Sequence, residues 1–391
     1  MRRIGQHVSG GRALRRPNFF IIGAPKCGTT SLSVWLSEHP NIFMSPIKEP
    51  HFFNTDDRQA VTTLDQYEAL FCDATEEHLA VGEASVWYLS SVEAVPAIVR
   101  YQPEARFIVM VRNPLEMAPA LHGEMLSSGL EYEQRFSRAW HLQDERRRGR
   151  RVPPAYRWAR RRFVYGDVCS LGMQLRRLYI TVSSNRVLTV NLDDICVDSR
   201  REYLKVLQFL GIPDDGRLKF PRYNPATAFR YPGLQRLVYP ALELKDRLGI
   251  RIGLGLWTSV GNLMRIETPR EPLTLEMRSV LKEYFSEDIA LLGELLGRDL
   301  RRWLAIEQQM PITWTPDPSF ISAQHALVGE HELIAFDVPA RRDMGREIGW
   351  MVFTENIMVA GGASASLEEA KRAAEVAVGY DYAEEPLSEI A

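Results

Sequence analysis

The segment that most constrains the fold lies at residues 19–38. Phe19-Phe20-Ile21-Ile22 is a short, continuous apolar run. Gly23 ends it, and Ala24-Pro25-Lys26-Cys27-Gly28-Thr29-Thr30-Ser31 leads into a stretch where Leu32, Trp35 and Leu36 share one helical face. A buried strand, a glycine-bearing loop and a helix, in that order, open an α/β nucleotide fold. Two further buried strands are predicted at 106–112 and 186–192, ending at Asn113-Pro114 and Asp193-Asp194. A helix over 199–210 carries Tyr203, Leu204, Leu207 and Leu210 and stops at Gly211. Strands this apolar, alternating with helices, predict a parallel sheet covered on both faces.

Gly23 and Gly28 have the spacing of a phosphate loop, in which glycines let backbone N–H groups converge on an anion at a helix N-terminus. Thr29 stands where that loop usually has lysine, and the cation, Lys26, lies inside the loop. Thr29, Thr30 and Ser31 add three hydroxyls. Without the lysine beside the magnesium-binding hydroxyl, this is a poor ATPase site. It remains a good cradle for a 5′-phosphate whose attached group leaves without a metal. A chance turn between strand and helix is the plainer alternative; a lysine and three hydroxyls directly after a strand favour the anion site.

Pro25-Lys-Cys-Gly-Thr-Thr-Ser-Leu32 resembles the 5′-phosphosulfate loop of sulfotransferases that use 3′-phosphoadenosine 5′-phosphosulfate (PAPS), closest to their bacterial and heparan-sulfate-modifying branches. The resemblance continues through Lys48-Glu-Pro-His-Phe-Phe53, Gly82-Glu-Ala-Ser85 with Tyr88, Val111-Arg-Asn-Pro114, and Tyr165 with Cys169-Ser-Leu-Gly172. It extends to Asp193-Asp194, Phe209-Leu-Gly211 and Glu283-Tyr-Phe285 with Leu300 and Trp303, and so covers residues 17–304.

The resemblance implies a P-loop-like parallel sheet flanked by helices, PAPS as co-substrate and adenosine 3′,5′-bisphosphate as product. Pro25, Lys26, Cys27, Gly28, Thr29, Thr30, Ser31 and Arg112 would bind the donor. Glu49 would be the general base, with Lys26, Lys48 and His51 as the other catalytic candidates. His51 is the rival base. Glu83 is read either as an acceptor-binding or Lys48-orienting group or as a structural carboxylate. One position departs from the pattern. The family has a serine eight residues after Arg112 that helps bind the 3′-phosphate, and here that position is Ala120. Ser127 and Ser128 lie roughly 10–12 Å further along a helix.

The other motifs are weaker. Nine arginines between 146 and 162 read as a solvated, partly helical face, or more sharply as an electrostatic guide for an anionic donor or acceptor. Tyr156, Trp158 and Phe163 interleave with them, but no RNA-binding motif accompanies them, and no nucleic acid is expected as partner. The net charge of −2 gives the whole chain no bias toward nucleic acid or an anionic membrane. The apolar stretch at 248–264 is cut by Arg251, Gly253 and Gly255, so no membrane span is expected. Four scattered cysteines form no metal-ligand pattern, and a reducing, cytoplasmic setting is the simplest expectation.

Three segments are expected. Residues 1–16 form a disordered basic arm, 17–310 a sulfotransferase domain, and 319–391 a small α/β accessory module beyond Pro311, Pro316 and Pro318. In that module 323–338 and 348–360 read as strands, and Ser366-Leu-Glu-Glu369 as a capping box before a helix from Leu367 to Val378. The predicted activity is sulfuryl transfer to a hydroxyl or amine of a small molecule or glycan, a carbohydrate or glycolipid by family. The rivals are a nucleoside-triphosphate kinase and a catalytically weakened nucleotide-binding protein on the same fold.

Overall fold

In a computed structural model, the residues described are 15–57, 59–223, 227–229, 265–267, 273–305, 314–316, 323–328, 331–338, 347–354, 357–364 and 366–377. Residues 1–14 of the expected disordered arm at 1–16, the apolar stretch at 248–264 and most of the proline-rich break lie outside them. The chain divides into two compact units: Met1–Pro269 with Tyr284–Leu304, and Arg270–Glu283 with Ala305–Ala391.

The first unit is built on five parallel strands: β1 (Phe19–Gly23), β2 (Ile42–Met44), β3 (Ala80–Ala84), β4 (Arg106–Val111) and β5 (Val187–Asn191). Their order is β2-β3-β1-β4-β5. Phe19 to Ile22 and Phe107 to Val111 are all 0% exposed, so the two central strands are covered on both faces. That is why they read as unbroken apolar runs rather than alternating ones. β3 is equally buried, but it reads Ala-Val-Gly-Glu-Ala. Gly82 there is a packing requirement, since a Cβ would lie 2.4 Å from the Phe19 ring on the neighbouring strand.

Helices connect and cover the strands. They are α1 (Thr29–Ser37), α2 (Leu64–Glu68), α3 (Ala94–Tyr101), α4 (Pro114–Ser127), α5 (Phe136–His141), α6 (Gln143–Arg147), α7 (Tyr165–Cys169), α8 (Leu171–Thr181), α9 (Leu192–Val197) and α10 (Ser199–Leu210). α10 ends, as its sequence predicts, at Gly211 with φ 73°. A short antiparallel pair, β6 (Thr227–Phe229) and β7 (Arg265–Glu267), follows. The helical pattern from 273 resolves into α11 (Leu275–Leu296) and a separate turn at Arg301–Leu304.

Within the first unit, Asp288 of α11 caps α8. Its carboxylate accepts the N–H groups of Gly172 and Met173 at 2.9 and 2.8 Å. Asp193 and Asp194 are similarly structural. Asp194 takes both guanidinium nitrogens of Arg298, and Asp193 accepts the Trp303 indole N–H at 2.8 Å.

In the second unit the two predicted strand regions each divide into a hairpin. β8 (Thr315–Pro316), β9 (Ala323–Val328), β10 (His331–Val338), β11 (Glu347–Thr354) and β12 (Ile357–Ser364) form an antiparallel sheet in sequential order. α12 (Leu367–Ala377) packs on it, with Ala370 and Ala374 against Leu333, Ala335, Ile348 and Val352. Ser366 Oγ accepts the Glu369 N–H at 3.2 Å, as the capping-box reading requires.

Candidate active site

The loop after β1 and the start of α1 form the first part of the site. Gly28 is the N-cap of α1, with φ 89°, and no side chain caps the helix. A helix N-terminus that opens on glycine rather than on a capping side chain suits an anion. A Cβ on Gly28 would also press to 3.0 Å on Leu192. Cys27 is turned inward, fully buried, with Sγ 3.7 Å from the Met117 sulfur, and burial pushes its thiol up to about 12. Its N–H bonds the Ala24 carbonyl, so Cys27 packs the loop rather than presenting a reactive group. Ser31 Oγ accepts the Tyr223 N–H at 3.0 Å, and Thr29 is buried.

The structure brings Lys26 and Arg112 together. Arg112, which directly follows β4, donates from Nη1 to the Lys26 carbonyl at 3.3 Å. Both cations are also held by carboxylates of α4 that sequence reasoning missed. Lys26 Nζ lies 2.6 Å from Glu124 Oε2, and Arg112 Nη2 lies 2.7 Å from Glu116 Oε2. Glu116, Ala120 and Glu124 recur every four residues, hence on one face of α4. That spacing, directly after the Asn113-Pro114 helix start, is the signal that could have found the two glutamates. Ala120 is 1% exposed. Ser127 and Ser128 donate to the Glu124 carbonyl.

The second part follows β2 and the end of β3. Glu49 N–H bonds the Ala84 carbonyl at 2.9 Å, docking residues 48–53 beside β3. Lys48, Glu49 and His51 form one cluster: Lys48 Nζ is 2.8 Å from Glu49 Oε1, and His51 Nε2 is 3.2 Å from Glu49 Oε2. Burial would raise the Glu49 pKa. The His51 hydrogen bond and the Lys48 charge and hydrogen bond outweigh it and hold the carboxyl at about 2. His51 Nδ1 is buried with no partner among the described residues.

Lys26, Glu49 and His51 have φ of 63°, 63° and 52°, an uncommon conformation for side-chain-bearing residues. Such strain persists where surrounding contacts over-determine the backbone. Around His51 those contacts run back to Glu83. His51 N–H bonds Ser85 Oγ at 3.3 Å, and Ser85 donates to Glu83 Oε2 at 2.7 Å. Phe53 N–H bonds the Tyr88 hydroxyl at 3.3 Å, and Tyr88 and Tyr67 donate to Glu83 Oε1 at 3.0 and 2.9 Å. Glu83 is 0% exposed. Its hydrogen bonds go to these three hydroxyls, so of the readings open from sequence the structure favours the structural one. Burial, reinforced by the charge of Glu49, lifts its pKa to about 7 against the three hydrogen bonds.

The arginine-rich stretch is mostly neutralised. Arg146 forms a buried ion pair with Glu131 at 2.7 Å. Arg147 pairs with Asp144 and Asp167, Arg148 and Arg150 with Glu145, Arg161 with Asp56, and Arg162 with Asp57. Arg148, Arg150 and Arg161 are exposed, as a solvated face requires, whereas Arg146 is buried and Arg162 nearly so in their ion pairs.

Residues 16–220 match the sulfotransferase domain family. The chain belongs to this family. It is 32% identical to mouse carbohydrate sulfotransferase 15 over 156 residues, 28% of each chain. It is 24% identical to mouse bifunctional heparan sulfate N-deacetylase/N-sulfotransferase 4 over 304 residues, 75% of this chain and 32% of that one. The matches span under a third of the length of these two curated relatives. A crystal structure of a sulfotransferase from Alicyclobacillus acidocaldarius superimposes with a TM-score of 0.54 at 25% identity, covering 74% of this chain and 100% of that one. The parallel sheet and the placement of the loops at its carboxyl edge accord with that fold. The family match leaves the kinase reading without support. No helix among the described residues is long and apolar enough to cross a membrane.

Proposed function

We propose that this sulfotransferase-family chain moves a sulfuryl group from PAPS to a hydroxyl or amine of a carbohydrate or glycolipid acceptor. The observation that carries the proposal is the convergence of Lys26 and Arg112 on one phosphate loop whose helix N-terminus has no side-chain cap. In this reading the α1 N–H groups and the hydroxyls of Thr29, Thr30 and Ser31 hold the 5′-phosphate. Lys26 offsets charge near the bridging oxygen, and Arg112 takes the 3′-phosphate, which a guanidinium can bind bidentately. The acceptor oxygen or nitrogen attacks sulfur, the bond from sulfur to the bridging oxygen breaks, and adenosine 3′,5′-bisphosphate leaves.

The acceptor proton goes to Glu49. Its carboxylate is 30% exposed, in reach of a ligand, and ionised at neutral pH. A carboxyl held at about 2 is a weak base, because proton transfer is most efficient when the pKa lies near the working pH. Movement of Lys48 from Glu49 toward the donor would raise that basicity and place a second cation at the leaving group. A second reading rests on His51 Nδ1, which has no partner among the described residues while Nε2 faces Glu49. There Glu49 would orient His51, and the imidazole would take the proton.

Titration calorimetry tests the donor half. Adenosine 3′,5′-bisphosphate should bind without magnesium, and Lys26→Ala and Arg112→Ala should each weaken it. Binding of ATP only with magnesium, and none of the bisphosphate, would sink the proposal.

A further inference from the structure

The loop that carries the candidate bases hangs on one buried carboxylate. Alternate backbone N–H groups of this loop find their acceptors on residues 84–88. Glu49 donates to the Ala84 carbonyl at 2.9 Å, His51 to Ser85 Oγ at 3.3 Å, and Phe53 to the Tyr88 hydroxyl at 3.3 Å. The last two acceptors are hydroxyls, and each directs its own hydrogen at Glu83: Ser85 to Oε2 at 2.7 Å and Tyr88 to Oε1 at 3.0 Å. Two relays, N–H to hydroxyl to carboxylate, therefore run from the loop to a single side chain. A hydroxyl that donates to a carboxylate is itself a better acceptor, so the two links of each relay strengthen one another.

A second observation comes from the backbone. Glu49 and His51 hold φ of 63° and 52°, which residues with a Cβ rarely adopt. Such residues keep that conformation only where surrounding contacts oppose relaxation. The Tyr88 ring adds to those contacts, standing edge-on to the His51 imidazole at 6.4 Å and to the Phe53 ring at 6.0 Å between ring centres. The two strained residues are themselves joined, His51 Nε2 lying 3.2 Å from Glu49 Oε2.

We propose that Glu83 is a positioning residue of the transfer reaction, holding the Glu49–His51 pair in place through Ser85 and Tyr88 without touching substrate. The inference rests on the reading of that pair as the source of the base. The carboxylate form suits the task. An ionised carboxyl only accepts, and its two oxygens have room for the hydroxyls of Ser85, Tyr88 and Tyr67. A proton on either oxygen would have to be taken by one of those same hydroxyls, which would then turn its own hydrogen away and slacken a relay. Burial and the Glu49 carboxylate oppose the charge on Glu83, and the three hydroxyls favour it. Lys48 and His51, the other charged or titratable groups of the loop, are turned to Glu49, and Phe20, the β1 neighbour of Glu83, is apolar. Glu83 therefore changes charge at about pH 7, and the relays are complete above it.

The test compares wild-type protein with Glu83→Gln, Ser85→Ala, Tyr88→Phe and Tyr67→Phe. The rate is the release of adenosine 3′,5′-bisphosphate from PAPS, with a glycan and glycolipid extract as acceptor, across the neutral pH range. Wild-type kcat should rise with pH through about 7 to a plateau. Each of the first three variants should lower that plateau, with KM for PAPS and bisphosphate affinity unchanged. The loss in Glu83→Gln should be roughly 10- to 100-fold, since a misplacement of about 1 Å can cost 10²-fold, and its rise near pH 7 should disappear. Tyr67→Phe removes a donor to the carboxylate but breaks no relay, so it should move the rise to higher pH and keep the plateau. Hydrogen exchange of residues 48–53, read by mass spectrometry, follows the relays without turnover. It should quicken in the three relay variants and not in Tyr67→Phe. If Glu83→Gln fails to fold, Ser85→Ala and Tyr88→Phe decide. An unchanged plateau, exchange no faster in any relay variant, or bisphosphate affinity falling as far as kcat overturns the role. A wild-type protein that never turns over PAPS defeats the sulfotransferase reading, and the exchange result then decides alone whether Glu83 holds the loop.

Discussion

Lys26 Nζ lies 2.6 Å from Glu124 Oε2, so the cation assigned to the phosphosulfate is held by a carboxylate of α4. Glu124 is 54% exposed, and such a pair is worth only about 0–1 kcal/mol in water. A donor carrying several negative charges should displace it. Glu124→Gln should therefore tighten bisphosphate binding by roughly two- to fivefold at low salt, an advantage that fades as ionic strength screens the carboxylate. Calorimetry at two salt concentrations reads this directly. Unchanged or weaker binding at low salt would mean that Glu124 does not compete for Lys26.

Ala120 stands between Glu116 and Glu124 on the same face and is buried. Ala120→Ser should restore a hydroxyl toward the 3′-phosphate and tighten bisphosphate binding, by at most about 1.5–3 kcal/mol. Adenosine 5′-phosphosulfate, which lacks that phosphate, should gain nothing. An equal gain for both ligands would show that residue 120 does not face the 3′-phosphate.

Glu83 makes stability depend on pH. A carboxyl whose folded pKa is about 7 against an ordinary 4.5 binds its proton more tightly when folded. Its stabilising contribution is complete below about pH 4.5, fades as pH rises to about 7, and is absent above that. Between pH 5 and 8 the loss is of order 2–3 kcal/mol. Glu83→Gln should remove most of that loss in urea melts at the two pH values. A variant as pH-dependent as the wild-type protein would contradict the raised pKa. Glu49 acts in the opposite sense and in a different window. Its depressed carboxyl contributes stability that is lost only as pH falls from about 4.5 toward 2.

The central strands were legible because burial on both faces leaves a continuous apolar signature, as in 19–22 and 107–111. β2 is only three residues long, Ile42–Met44, and carries no such run. The donor loop was legible because its glycine, lysine and hydroxyl spacing is local in sequence. The grip of α4 on Lys26 was not, since Lys26 and Glu124 come together through the β1–β4 pairing, whereas the Arg112–Glu116 pair is local at i,i+4 spacing. The role of Glu83 was open for the same reason. Ser85 and Tyr88 follow it closely in the chain, but Tyr67 comes from α2, and nothing in Gly82-Glu-Ala-Ser85 signals that all three hydroxyls point at one carboxylate. The arginine run looked like a single basic face until its partners, Asp56 and Asp57 among them, arrived from about a hundred residues away.

Glu49 is the proposed base in PAPS-dependent transfer. The most direct measurement is the release of adenosine 3′,5′-bisphosphate from PAPS, with a glycan and glycolipid extract as acceptor, by wild-type, Glu49→Gln and His51→Ala proteins. All three should be folded and bind the bisphosphate equally. The wild-type protein should turn over, and Glu49→Gln should lose roughly 10²–10⁴-fold in rate, the usual contribution of a general base, with His51→Ala affected less. Loss of transfer in His51→Ala while Glu49→Gln keeps most of its activity would contradict the assignment and give the proton to His51.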